Sequence, residues 1–293
     1  MEQKNAVNPS ARPAAPAAPK AAPAQSSGGA SLFSVIVIVL ALIVSIVLFK
    51  FVLGNPDHFL GGNPENNPKP GDYLGIVYKG GVIVPILMTM LLCVITFAIE
   101  RALTISKAKG SKSIESFVRS VRQKLNVNDI SGAIAICDQQ KGSVANVVRA
   151  GLKKYQEMGR DTTMATDQQV LAIQKEIEES TALELPMLEK NLVIISTIAS
   201  VATLTGLLGT VFGMIKAFSA LAQAGNPDAT ALATGISEAL INTALGIGTS
   251  ALAIVGYNYF TSKIDELTYS IDEAGFSIIQ TFAAQHGNKN QVG

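Results

Sequence analysis

The sequence predicts an all-α integral membrane protein, and three observations carry that prediction. Charged residues make up only 15% of the chain and mean hydropathy is +0.34, the profile of a membrane protein rather than a soluble domain. Charge-free windows over 31–49, 80–99 and 191–215, with a fourth around Glu238, are each long enough to cross a bilayer as a helix. No strand-type alternation of useful length appears. Long helices that span the membrane and extend into the cytoplasm are therefore expected.

Residues 1–30 (SARPAAPAAPKAAPAQSSGG within them) are Ala/Pro-rich, cannot bury a core, and read as a disordered cytoplasmic tail. Residues 31–53 read as an N-terminal transmembrane helix. Its apolar run exceeds a signal-peptide core and no A-x-A-like site follows, so it is expected to remain uncleaved. Residues 54–78 are Asn/Pro/Gly-rich, an external periplasmic linker with local turns. A second span covers 80–100.

Residues 101–190 read as cytoplasmic helices. Ile114, Phe117, Val118, Val121 and Leu125 recur at helical spacing between charges. Asn128-Asp129 reads as the cap of a short helix. The stretch from Thr166 reads as one long helix running into the third span, with a kink at Pro186. Spans over 191–220 and 235–260 follow, and 271–293 reads as a cytoplasmic tail.

Orientation follows from counting Lys and Arg. Residues 101–190 hold 14 of the 23, whereas 54–78 holds only Lys69 and 221–234 holds none. Both termini and the 101–190 block are expected in the cytoplasm.

Several functions are disfavoured at this stage. A net charge of +1 gives no bulk argument for nucleic acid. His58 and His286 lie outside the apolar windows and no metal-ligand cluster appears. Cys93 and Cys137 fall in different expected compartments, so no disulfide is expected. The Gly-rich phrases lack the Lys-Ser/Thr of a phosphate loop. No membrane-embedded Ser/His or paired-Asp constellation suggests an enzyme, and no cofactor is expected.

Glu238 is the one charged residue between Asp228 and Lys263. A carboxylate in a spanning segment is costly and usually marks an ion or proton path. Polar residues also form stripes. Ser196, Ser200, Thr203 and Thr210 share a face of the third span, and Glu238, Asn242 and Thr249 share a face of the fourth. Small residues form a packing face, with Gly206, Gly209 and Gly213 on the third span and Gly246 on the fourth. If the hairpin closes between Leu221 and Asp228, Thr210, Glu238 and Thr243 lie about 17, 15 and 22 Å from its outer end, in one layer. Lys216 is expected to extend to the outer interface. Ser and Thr in spanning helices also bond their own backbone, so a packing role stays open for each hydroxyl.

The phrases LLGTVFGM and GISEALINTALG, with FAIERALTI closing the second span, resemble the MotA/TolQ/ExbB proton channel family, and ExbB in particular. The resemblance covers about 76–270; the core would occupy 79–270, with the first apolar helix extra to a three-helix core. It implies a homo-oligomer, five copies around a dimer of ExbD-type single-span subunits in the bacterial inner membrane. Protons would be the coupling ion, energising a TonB-type transducer for transport across the outer membrane. It also implies that Thr210, Glu238 and Thr243 carry the proton pathway; Asn242 departs from the family pattern beside Thr243, and with Thr203 and Thr249 of the polar stripes it is a further lining candidate. Glu100 and Arg101 match the charged exit of the family's first core helix, either as a membrane-boundary anchor or as a subunit contact. A TolQ- or MotA-like stator, or a non-conducting helical scaffold, are the rival readings.

Overall fold

The computed structural model describes residues 28–222 and 229–287; the expected disordered tail falls almost wholly outside them. The helices are α1 (Gly28–Val47), α2 (Tyr73–Tyr78), α3 (Ile83–Lys109), α4 (Ile114–Asn126), α5 (Ile130–Gln140), α6 (Ser143–Met158), α7 (Thr166–Glu189), α8 (Leu192–Leu221) and α9 (Ala229–His286). Among the described residues no strand forms beyond a single bridge between Phe59 and Pro68. Among the described residues four helical stretches are long and apolar enough to cross a membrane: Leu32–Leu53, and those that contain α3, α8 and α9.

The linker after α1 is folded rather than loose. Asn55 caps a 3-10 turn by accepting from the backbone N–H of Asp57 at 3.1 Å. Asp72 caps α2 by accepting from Leu74 and Gly75 and holds His58 at 2.7 Å. The hydrogen bond from His58 is the main reason the Asp72 carboxyl sits below the usual range. Phe59 is fully buried and meets Tyr78 edge-on, while Tyr78 stacks on Phe49 with centroids 4.7 Å apart. These contacts pin the linker to α2 and to the turn that follows α1.

The expected single helix from Thr166 into the third span is two helices. The break falls at Asn191 (φ 65°), not at Pro186, which lies inside α7. Asn tolerates the left-handed conformation because its short polar chain can bond locally. Arg101, 1% exposed, makes the break stable. Its Nη1 donates to the carbonyls of Met187 and Leu188, both at 3.1 Å, filling acceptors that the end of α7 leaves open. Its other edge grips the carboxylate of Glu100, which also accepts from Asn191 Nδ2 at 3.2 Å. The Asn191 oxygen accepts from Ser34 on α1 at 3.0 Å. Glu100 and Arg101 therefore tie α1, α3, α7 and α8 together within one chain.

Below that junction α4, α6 and α7 pack around the lower half of α9, and α5 packs against α4 and α6. The α4 stripe expected from spacing is buried at all five positions, and Asp129 caps α5 by accepting from Gly132 at 2.8 Å. Gln140 donates to the carbonyls of Lys109 and Lys112, locking α3 to α5. The boundary drawn at 270 falls inside α9, since Ile271, Ala274, Ile278 and Phe282 are core residues and Tyr155 meets Phe282 edge-on at 4.9 Å. Residues 271–286 are thus helix rather than tail, because that stretch carries the apolar face that α4 and α6 need. Cys93 and Cys137 are free and buried, and burial pushes the Cys137 thiol up to about 12.

Arg101→Met should remove two carbonyl caps and orphan Glu100, costing about 3 kcal/mol. The thermal midpoint of the purified chain in detergent should fall, and Glu100→Gln in the same chain should recover part of the loss. An unchanged midpoint would mean that the junction is held by packing alone.

Candidate functional site

The α8–α9 hairpin is the most extensive helix pair, and its backbones touch. A methyl at Gly213 would lie 2.7 Å from the Gly235 carbonyl and the Ala239 nitrogen. One at Gly246 would lie 2.7 Å from the Ala202 carbonyl, and one at Gly206 2.9 Å from that of Asn242. Small residues permit this approach, and packing rather than hydrophobicity holds such helices together in lipid. All four glycines expected to pack do so, joined by Gly235, which sequence reasoning passed over.

That closeness brings Thr210 and Thr243 into direct hydrogen-bond contact. Thr243 also reaches the Ala239 carbonyl at 3.1 Å, and Thr210 the Gly206 carbonyl at 3.3 Å. A hydroxyl has one donor and two acceptor positions. If one threonine donates to its partner and the partner donates to a carbonyl, both protons are committed and acceptor lone pairs remain. The dyad can therefore accept from a protonated group brought against it. Thr210 also opens onto a groove of about 620 Å³ along α8, with Val211, Met214, Ile215 and Phe218.

Glu238 stands apart from this dyad. Its Oε2 pairs with Lys216 Nζ at 2.9 Å, and its side chain is 14% exposed against 63% for Lys216. The carboxylate fits against Gly81 (φ 76°), where any side chain would strike it. Asn242, one turn on, donates to the Gly80 carbonyl at 2.9 Å and is 1% exposed. Glu238 and Asn242 thus face the α2–α3 junction, while Thr243 faces α8. The expected single layer is divided between two faces of α9, and the three residues do not form one contact group. Glu238 also lies level with the start of α3 rather than mid-span, since Gly80-Gly81 precede Ile83. Lys79, just before that start, is in electrostatic range of Lys216.

The other lining candidates separate. Thr203 is half-buried on α8, whereas Asn242 and Thr249 are buried within the protomer's own packing and lie on no open face. The Ser196–Ser200 stripe runs into a second cavity of about 560 Å³ between α8 and α9, with Tyr257, Thr261 and Asp265 opposite. Thr261 Oγ1 is buried there without a hydrogen-bond partner. The described residues hold no cluster of three or more His, Cys, Asp or Glu able to hold a metal.

Sequence reasoning missed the Lys216 pairing. A signal was available: Lys216 and Glu238 differ in distance from their helix ends by about 6 Å, within the reach of a lysine stem, which was read only as extending to the interface.

Comparison with known proteins is consistent with this geometry. Residues 139–273 match the model of the MotA/TolQ/ExbB proton channel family, a span that holds Thr210, Lys216, Glu238 and Thr243. The chain is 24% identical to the Tol-Pal system protein TolQ of Pseudomonas aeruginosa over 158 residues, 54% of this chain and 68% of that protein. It is 25% identical to the biopolymer transport protein ExbB of Neisseria meningitidis over 207 residues, 68% of this chain and 92% of that one. It is 36% identical to TolQ of Haemophilus influenzae over 97 residues, 33% of this chain and 39% of that protein.

Gly213→Ala should lower the thermal midpoint, as overpacking by about 1–3 kcal/mol does. Gly248→Ala, with nothing within 4 Å of the added methyl, should leave the midpoint equal or higher. Equal tolerance at both positions would contradict the backbone seam.

Proposed function

We propose, from the match of residues 139–273 to the MotA/TolQ/ExbB proton channel family, that the chain is the ExbB-like subunit of a proton-driven motor in the bacterial inner membrane. The family is defined by a channel rather than by catalysis, and the reading assigns no covalent chemistry to this chain. The subunit assembles as a homo-oligomer, five copies by resemblance, around an ExbD-type single-span partner. Proton flow through the complex energises a TonB-type transducer for transport across the outer membrane. Both termini and α4–α7 lie in the cytoplasm in this reading, which the Lys/Arg asymmetry supports.

The observation that carries this reading is the Thr210–Thr243 dyad, whose Thr210 lines a largely apolar groove along α8. An acidic side chain on a partner helix, seated in that groove, would be neutral while protonated and could donate to the dyad's free lone pairs. Neutralisation is what permits a carboxyl to move through an apolar interface. Glu238, held by Lys216 at the outer end of the span, then supplies an anionic entrance one turn from the dyad. The hydroxyls of Thr203, Ser200 and Ser196 continue the path to the inner cavity, where Asp265 supplies a carboxylate. Asn242 and Thr249 serve helix packing in this account.

A TolQ-like role in envelope integrity is the second reading, favoured by the two TolQ relatives. Loss of function would then appear as detergent sensitivity with normal uptake.

Glu238→Ala should abolish uptake through a TonB-dependent transporter at normal complex levels. Glu238→Gln keeps the shape but cannot carry charge, and should be as inactive. Lys216→Met should reduce uptake about tenfold, the loss of one charged hydrogen bond, and Lys216→Arg should restore most of it. Full uptake in Glu238→Gln would reduce Glu238 to a hydrogen-bonding group and remove the entrance from the account.

A further inference from the structure

A pocket of about 220 Å³ opens between α3 and α9, on the far side of the bilayer from Glu238. Ser106, Lys109, Tyr259 and Lys263 line it, above a floor that includes Ile105 and Leu267. Two independent helices fix its depth. Along α9, Glu238 to Tyr259 is about 32 Å, and along α3, Ile83 to Ile105 is about 33 Å. The hydrocarbon core of a bilayer is about 30 Å thick. The pocket therefore sits at headgroup level, one hydrocarbon thickness from the Lys216–Glu238 layer. Tyr259 is exposed at that level, as interfacial aromatics are.

Glu266 also lines the pocket, which therefore sets two lysines, Lys109 and Lys263, against one carboxylate. Lys263 pairs with Glu266 at 2.6 Å, while Lys109 has no carboxylate within ion-pairing distance among the described residues. An ammonium has three donors, so Lys263 can keep Glu266 and still offer an N–H to a second anion. Directly toward the membrane, α3 presents the exposed apolar residues Ile99 and Leu103. A cationic rim joined to an apolar flank suits an amphiphile whose anionic end stays at the interface.

We propose that this pocket binds the phosphate of an anionic phospholipid headgroup. Lys109 and Lys263 hold the charge, Ser106 and Tyr259 donate hydroxyls, and the acyl chains descend along Ile99 and Leu103. The inference does not rest on the motor reading; it requires only that α3 and α9 cross the bilayer.

Native mass spectrometry of the full chain, with phosphatidylglycerol and phosphatidylethanolamine offered in equal amounts, tests it. Phosphatidylglycerol should be retained preferentially. Lys109→Gln and Lys263→Gln should each weaken that preference about fivefold, the worth of one Lys at an anionic surface, while both Arg variants keep it. Lys107→Gln, in the same last turn but outside the pocket, should change nothing. Equal loss in Lys107→Gln would mean diffuse surface attraction and overturn the site. Displacement of the lipid by excess inorganic phosphate would mark a soluble-anion site and overturn the lipid assignment. Unchanged thermal midpoints of the Gln variants exclude unfolding, and preference unchanged in both would also overturn the proposal.

Discussion

Along the α8–α9 seam, Gly206, Gly213, Gly235 and Gly246 place one backbone against the other, with no side chain between. The separation of the two helices is set there, and so is the geometry of every group across them. Thr210 and Thr243 meet only because the helices approach this closely. Asn242 is wedged against Gly209 and turned to the Gly80 carbonyl for the same reason. A larger residue in the seam would move the hydroxyls apart before touching them. The chemistry of the hairpin is thus a consequence of what its packing face lacks.

Charge marks the two ends of the spans. At one end Lys79, Lys216 and Glu238 gather around the start of α3. At the other, Arg101 and Glu100 close the junction of α7 and α8. The two pairs do different work. Arg101 is buried and saturates carbonyls that have no other donor, so its role is architectural. Lys216 is exposed and holds a half-buried carboxylate with one contact, an arrangement that can open. A charged pair able to part suits an ion entrance, and a buried, fully bonded one suits a fixed joint.

Much of this was legible in the sequence, and the failures have physical causes. Apolar length gave four spans, helical spacing gave the buried face of α4, and Asp129 announced its cap. The seam glycines stood at helical spacing. The end of α9 was misplaced because charges such as Asp272 and Glu273 interrupt an apolar stripe that packing against α4, α6 and α7 explains. The α7–α8 break was missed, since one helix with a kink at Pro186 was expected; a single Asn191 is a weak stop signal, and the break depends on Arg101, remote in sequence. Glu238 was read with Thr210 and Thr243 by depth alone. Depth fixes the layer but not the face, and the face was decided by Gly80-Gly81 at the start of another helix. Asn242 and Thr249 lay in a polar stripe whose burial required the neighbouring helices to be in place.

The central claim is that the Thr210–Thr243 dyad passes protons, and flux tests it most directly. Liposomes would carry the chain co-purified with its single-span partner, with an imposed potential and an internal pH dye. Thr210→Val and Thr243→Val preserve shape and remove the hydroxyl. The account predicts that each lowers proton flux at least tenfold, about 1.4 kcal/mol, with the amount of reconstituted complex unchanged. Wild-type flux in both variants would make the dyad helix packing and contradict the account.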